Sequence, residues 1–421
     1  MAYETSGRVR LSTKARGGTA VVVLAAAMAL TPGWGGGAGG GPGTSEAHGP
    51  PATSSAAAAG ARRPNVVFVL TDDLAWNLVR YMPHVLAMER GGETFTNYFV
   101  TDSLCCPSRA SILTGRFPHD TRVFDNSPPE GGYSVFHERG EERSTFAVAL
   151  QRAGYRTALM GKYLNGYRPA FDGVPPGWSE WDVAGNGYPE YGYTMNSDGH
   201  ARRYGYRAKD YLTEVLAAKG LRFIEGAAAS RRPFLLELAT FAPHSPYTPA
   251  PRDARAFPGL RAPRTPAFDV VGTHEPAWLS HFMPLNAAQI GGIDHKFRRR
   301  AQAVQAVDRM IGRIEAKLVA EGLARDTYIV FSSDNGLHMG EHRLLPGKLT
   351  AFDTDIRVPL IVTGPGVPAG RTVGAMTENI DLCPSFERLA GAPVPRRVDG
   401  RSLLTLLHGG SESNWRREIL V

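Results

Sequence analysis

The eleven residues Cys105–Gly115 (CCPSRASILTG) set a nucleophile and a cation close together at the start of a helix. Pro107 suits the first helical turn, where a missing N–H costs nothing. Gly115 suits the end of the same helix. Cys105 then stands at the N-terminus, where unpaired N–H groups and the helix dipole favour an anion. Arg109 follows one turn later and can share that anion with position 105. A vicinal disulfide of Cys105 and Cys106, or a buried pair before a capped helix, would use the same residues for structure alone. A second chemistry is written in acids. Asp72-Asp73 closes one apolar run and Asp334-Asn335 closes another. Adjacent carboxylates in a dry cleft need a compensating cation. Oxygen donors alone suit a hard divalent ion, Ca2+ or Mg2+, rather than zinc. The same pairs also fit a helix cap and a turn.

These residues need a scaffold that brings them together. Asn65–Leu70, Tyr155–Met160, Phe234–Phe241, Thr327–Phe331 and Val358–Thr363 are β-rich apolar runs, as expected of strands covered on both faces. Helical periods separate them over 145–153, 208–228 and 300–321; in the last, Val304, Val307, Ile311, Ile314 and Leu318 recur at spacings of three and four. Such alternation predicts an α/β sandwich around a mostly parallel sheet. Ligand sites in open α/β sheets lie beyond the carboxyl ends of the strands. Those ends carry Asp72-Asp73, Lys162, His244 and Asp334-Asn335.

Cys105-x-Pro107-Ser108-Arg109-x-x-x-Leu113-Thr114-Gly115 resembles the signature of the type I, formylglycine-dependent sulfatases. The resemblance runs from Pro64 to about Val421. Cys105-Cys106, Thr114–His119 and Gly161–Asn165 give it the look of the N-acetylglucosamine-6-sulfatase and extracellular endosulfatase branch. It implies an alkaline-phosphatase-like sandwich with a large, mostly parallel or mixed sheet between helices. It implies that Cys105 is oxidised to Cα-formylglycine by a formylglycine-generating enzyme before folding. It also implies one bound Ca2+, held by Asp72, Asp73, Asp334, Asn335 and the modified Cys105. Arg109 matches the residue that steadies the formylglycine hydrate, and Lys162 and Lys348 match the sulfate-binding lysines. His244 matches the acid that protonates the leaving oxygen, and Asp334 is the expected activator of the nucleophile. Two departures stand out. Leu164 occupies a position where many relatives carry a second-step His, leaving His119 or Asn165 to serve; His342 is a further polar candidate. The small C-terminal antiparallel subdomain of relatives is expected to be absent or truncated.

Composition agrees with an enzyme and excludes other classes. The chain has 421 residues, 43% hydrophobic and 21% charged, enough for a large core. Three Cys cannot make a disulfide scaffold. The net charge is +7, of which Arg8, Arg10, Lys14 and Arg16 against Glu4 and Glu46 contribute +2. The remaining +5 is too mild for nucleic acid but suits an anionic substrate. Only seven of the 47 basic residues are Lys, so Lys162 and Lys348 at strand-end positions carry weight. Residues 1–34, with basic residues and then the apolar Ala20–Leu30, are expected to be a secretory signal peptide without stable membrane insertion. Residues 35–62 are expected to be a Gly/Ala/Ser/Pro linker and 63–421 the catalytic domain. The expected activity is hydrolysis of sulfate monoesters on a sulfated small molecule or saccharide, in a secreted, extracytoplasmic enzyme. The alternatives are a phosphoester or phosphonate monoester hydrolase and a non-catalytic glycan-binding protein.

Overall fold

The structure is a computed structural model that describes residues 63–421 apart from residue 274. The expected signal peptide and linker lie outside the described residues. Asn65–Thr71 (β1) shows why the fold forms. Every residue of NVVFVLT is buried. Val66, Phe68 and Leu70 enter one hydrophobic core, while Val67 and Val69 enter a second on the opposite face. A strand so covered must lie inside a sheet. It does: β1 pairs in parallel with Phe234–Ala239 (β8) on one side and Thr327–Ser333 (β9) on the other.

The other strands are Glu93–Phe95 (β2), Tyr98–Phe99 (β3), Arg156–Gly161 (β4), Glu180–Ala184 (β5), Thr194–Ser197 (β6), His200–Arg203 (β7), Leu360–Thr363 (β10), Arg371–Val373 (β11) and Thr377–Glu378 (β12). Among the described residues, ten of them form one sheet in the order β11-β2-β10-β9-β1-β8-β4-β5-β6-β7. The centre from β9 to β5 is parallel. Both flanks turn antiparallel, through β10 on one side and β6-β7 on the other. A two-stranded sheet of β3 and β12 stands apart. The cysteine helix, Cys105–Thr114, packs into the first core, and the helices Leu212–Ser230 and Ala287–Ala320 pack into the second. The result is the expected alkaline-phosphatase-like sandwich.

Most boundaries shift by one to four residues from the sequence reading: the helix expected over 208–228 is Leu212–Ser230, β8 stops at Ala239 and β9 runs on to Ser333. The last central strand begins at Leu360 rather than Val358. The long helix begins at Ala287, thirteen residues before Arg300. Asn286 caps it, accepting from the Gln289 N–H while the Gln289 side chain returns to the Asn286 N–H. Gly291-Gly292 and the polar run after them hide that start from a periodicity count.

Candidate active site

All the singled-out site residues except the later Lys348 sit at β-strand ends or in the cysteine helix. Asp72 and Asp73 follow β1, Lys162 follows β4, His244 follows β8, and Asp334 and Asn335 follow β9. Cys105 opens the cysteine helix and Arg109 lies one turn on; all ten residues of this helix are buried. Gly115 ends it in the left-handed conformation, φ 68°, as the sequence predicts. Lys348 arrives from a loop whose Gly347 pairs with His338.

Contacts join these six segments. Lys348 Nζ lies 2.6 Å from Asp73 Oδ1, 2.7 Å from Cys105 Sγ and 3.3 Å from Asn335 Oδ1. Lys162 Nζ donates to Asp72 Oδ2 at 2.6 Å, and Cys105 Sγ lies 3.4 Å from Asp72 Oδ1. Arg109 Nε donates to Asp334 Oδ2 at 2.7 Å and its Nη1 to the Lys162 carbonyl at 3.0 Å. His244 Nδ1 faces the Ser245 carbonyl at 2.7 Å, which leaves Nε2 toward the site, 3.6 Å from Asp73 Oδ2. One ligand atom each from Asp72, Asp73, Cys105 and His244 lies within 4.8 Å of the others. Asp334 stands a step back, its Oδ1 accepting from the Asp73 N–H and its Oδ2 from Arg109. The carboxylate beside Sγ is therefore that of Asp72, where the sequence pointed to Asp334.

Electrostatics separates the acids. Burial raises Asp72, but Lys162, His244, Arg109 and Lys348 together hold it below the usual carboxylate range. Burial acts likewise on Asp73, and the charge and hydrogen bond of Lys348 together with His244 hold it below its usual value. At Asp334, burial and the Asp72 charge win over Arg109 and push the carboxyl up. This dry cluster is short of positive charge at Asp334, and a divalent ion would supply it. The donor set fits one: carboxylate and amide oxygens converge, and the Lys348 ammonium already sits against three of the expected ligand groups. Burial and Asp72 also push the Cys105 thiol up to about 12. Lys348 at 2.7 Å pulls the other way but does not prevail, so at neutral pH the group is a thiol.

The remaining candidates separate. His119 pairs with Asp120 and stacks on Phe117, with over half of its side chain exposed, and it touches none of the site residues. His342 stacks on Phe352 and pairs with Glu275. Leu164 is buried in the first core. Asn165 donates to the Tyr188 hydroxyl at 3.1 Å; the Tyr188 ring packs 4.5 Å from His244 and lies beneath Lys162 Nζ. Cys106 and Cys383 are buried and free, as is Cys105, so no vicinal disulfide forms.

Three supporting residues went unread in the sequence. Arg300, wholly buried in the long helix, donates to the Asp73 carbonyl and holds Asp73 in its left-handed conformation, φ 64°. His338 and Asp355, 2.9 Å apart, pin the loop that carries Lys348, and Asp355 also accepts from the Thr350 hydroxyl at 2.6 Å.

Comparison with known proteins agrees with this geometry. The family profile Sulfatase matches residues 64–392. An N-acetylglucosamine-6-sulfatase of Homo sapiens is 39% identical over 374 residues, covering 86% of this chain and 67% of that protein. An extracellular sulfatase SULF-1 homolog of Drosophila melanogaster is 34% identical over 370 residues, covering 86% of this chain and 33% of that protein. The chain thus spans about two thirds or less of the length of these relatives. A solved structure described as a complex with its substrate D-glucosamine-2-N,6-O-disulfate superposes with a TM-score of 0.69 at 25% identity, covering 84% of this chain and 82% of that one. By its cysteine helix, its acid-ended strands and these matches, the chain belongs to the sulfatase family, the sulfuric ester hydrolases.

Proposed function

We propose that the protein hydrolyses sulfate monoesters of a saccharide, such as N-acetylglucosamine 6-sulfate, using a Cα-formylglycine made from Cys105 and a bound divalent cation. The observation that carries this is the convergence of Asp72, Asp73 and Lys348 on the buried Sγ of Cys105. A thiol held up to about 12 is a poor nucleophile at neutral pH, whereas an aldehyde hydrate at the same place offers an oxygen without needing a thiolate. Asp72, Asp73, Asp334 and Asn335, with residue 105, would hold Ca2+; Mg2+ suits the same oxygens. That ion would neutralise charge on the sulfate and orient its oxygens.

The chain's own residues do the rest. Lys162 and Lys348 approach position 105 from two sides and hold the sulfate oxygens whose charge shifts in the transition state. Arg109 steadies position 105 by fixing Asp334 and the Lys162 carbonyl around it. The Asp72 carboxylate accepts the proton of the attacking hydroxyl, and His244 gives a proton from Nε2 to the leaving alcohol; the sulfate would then leave residue 105 as the second hydroxyl of the hydrate loses its proton and the aldehyde re-forms, ready for water to hydrate it again. The D-glucosamine-2-N,6-O-disulfate bound by the similar structure and the N-acetylglucosamine-6-sulfatase name of the human relative support a sulfated amino sugar. The basic and apolar leader supports export, as does the likeness to an extracellular sulfatase. No helix among the described residues is long and apolar enough to cross a membrane. A formylglycine-generating enzyme would act on the chain before it folds.

Mass analysis of the peptide containing residue 105, run beside assays on aryl sulfate, phosphate and phosphonate esters, tests the reading. The expected result is an aldehyde at 105 and a preference for sulfate. An unmodified thiol without turnover would favour glycan binding, and a preference for phosphorus esters would move the chain to a sister activity.

A further inference from the structure

We infer that the cleft between the helix Gly132–Glu138 and the turn around Asn165–Gly173 is a subsite for an uncharged sugar ring, the unit next to the sulfated one. The inference rests on the saccharide reading above and extends it to a second contact. The cleft encloses about 550 Å³ and is lined by Tyr133, His137, Asn165, Arg168, Phe171 and Asp172 among others. That volume lies within the range of small-molecule sites.

Asn165 joins this cleft to the catalytic centre. It stands three residues past Lys162, and its Nδ2 donates to Tyr188, the ring packed against His244. Its main-chain oxygen accepts from the Tyr133 N–H at 2.7 Å, which fixes the cleft wall. Asn165 lines the cleft, and its Oδ1, buried behind that wall, has no partner in the protein. A buried acceptor without a donor is costly.

Charge then selects the ligand. Arg168 is committed to Asp172 at 3.0 Å and His137 to Glu142 at 2.7 Å, so neither is a bare cation for a second sulfate. Phe171 is 82% exposed beside the cleft, with the Arg168 guanidinium 5.6 Å from its ring centre. An exposed aromatic ring beside a cleft lined by Asn165, His137 and Asp172 matches the two surfaces of a pyranose: an apolar C–H face and an edge of hydroxyls.

Saturation-transfer NMR with an unsulfated N-acetylglucosamine disaccharide tests the subsite on the intact protein, independently of turnover. Transfer to the sugar protons is expected in the wild type and in Lys348→Ala, and at least about five-fold less in Phe171→Ala. Because Phe171 is exposed, its truncation does not threaten the fold. Absence of transfer in the wild type, or equal transfer in Phe171→Ala, would overturn the inference. Kinetics adds a second readout: kcat/KM for a sulfated disaccharide relative to the sulfated monosaccharide should exceed one and fall toward one in Phe171→Ala. A protein inert toward every sulfate ester would defeat the proposed function, while the NMR result would still judge the subsite.

Discussion

Cys105 and Cys106 are adjacent and equally buried, yet only Cys105 faces Asp72 and Lys348. Cys106 packs into the first core. Cys105→Ala should therefore abolish sulfate ester turnover, and Cys106→Ala should keep most of it while costing about 1 kcal/mol of stability for the small void it leaves. Comparable activity losses in both variants would show that the wrong thiol has been assigned. His244 invites a different measurement. If its Nε2 protonates the leaving group, His244→Ala should slow alkyl sulfates about 10²–10⁴-fold and activated aryl sulfates far less. Equal losses on both substrates would make it a sulfate-binding residue. Glu237 lies at the middle of β8, 2% exposed, with Oε2 unpaired. Burial pushes its carboxyl up from 4.5 to about 8, against a partial offset from Arg109. Its protonated form is thus favoured by folding. That stability is complete below the unfolded pKa and is lost as pH rises to about 8. Glu237→Gln, neutral at every pH, should gain on the wild type across that window, by an upper bound of about 5 kcal/mol. Urea unfolding at pH 5 and pH 8.5 checks this: an equal difference at the two pH values contradicts it.

Where β4 hands over to Lys162, Gly161 sits at φ 116°, and a Cβ there would lie 1.9 Å from the Ala239 carbonyl oxygen of the neighbouring strand. Gly161→Ala should cost about 1–3 kcal/mol in backbone strain alone. It should also displace Lys162 enough to lower kcat/KM roughly 10²-fold. A variant with wild-type melting and activity would mean the strand end is softer than its contacts imply. This junction was readable from the sequence, since an apolar run ending in Gly-Lys is local information. So were the central strands, whose buried residues leave unbroken apolar runs, and the cysteine helix, whose Pro and Gly mark its ends. What could not be read depends on pairing across long separations. His338 and Asp355 are 17 residues apart and become partners only through the fold of the Lys348 loop. Arg300 looks like the solvated edge of a periodic helix until β1 is packed beside it. β7, His200–Arg203, is wholly exposed, so it carries no hydrophobic pattern at all. Of the aromatics between Trp178 and Tyr211, Trp181, Tyr193 and Tyr211 are fully buried, while Tyr188 packs against His244.

Site residues come from positions 72 to 348, so the acid cluster forms only in the finished fold. Any cation it holds should stabilise the whole chain, by about 2.7 kcal/mol at a hundred-fold excess over the dissociation constant. Removing metal with a chelator should lower both activity and the melting temperature, and Ca2+ or Mg2+ should restore them. Full activity in a preparation shown by elemental analysis to be metal-free would count against the assignment. The position of β1 has a consequence in time. Its hydrogen-bonding partners, β8 and β9, are synthesised long after it, β9 ending at Ser333. At roughly 5–20 residues per second, the ribosome needs about a quarter of a minute to a minute to reach that point. Until β8 and β9 have both emerged, Asn65–Thr71 is an incompletely paired, largely apolar segment, and a holdase chaperone is the natural guard against its sticking to another copy. The same delay keeps residue 105 reachable, because the helix that buries it docks on a sheet that does not yet exist. Slowing synthesis should lengthen the maturation window, and hastening the docking of β1 should shorten it.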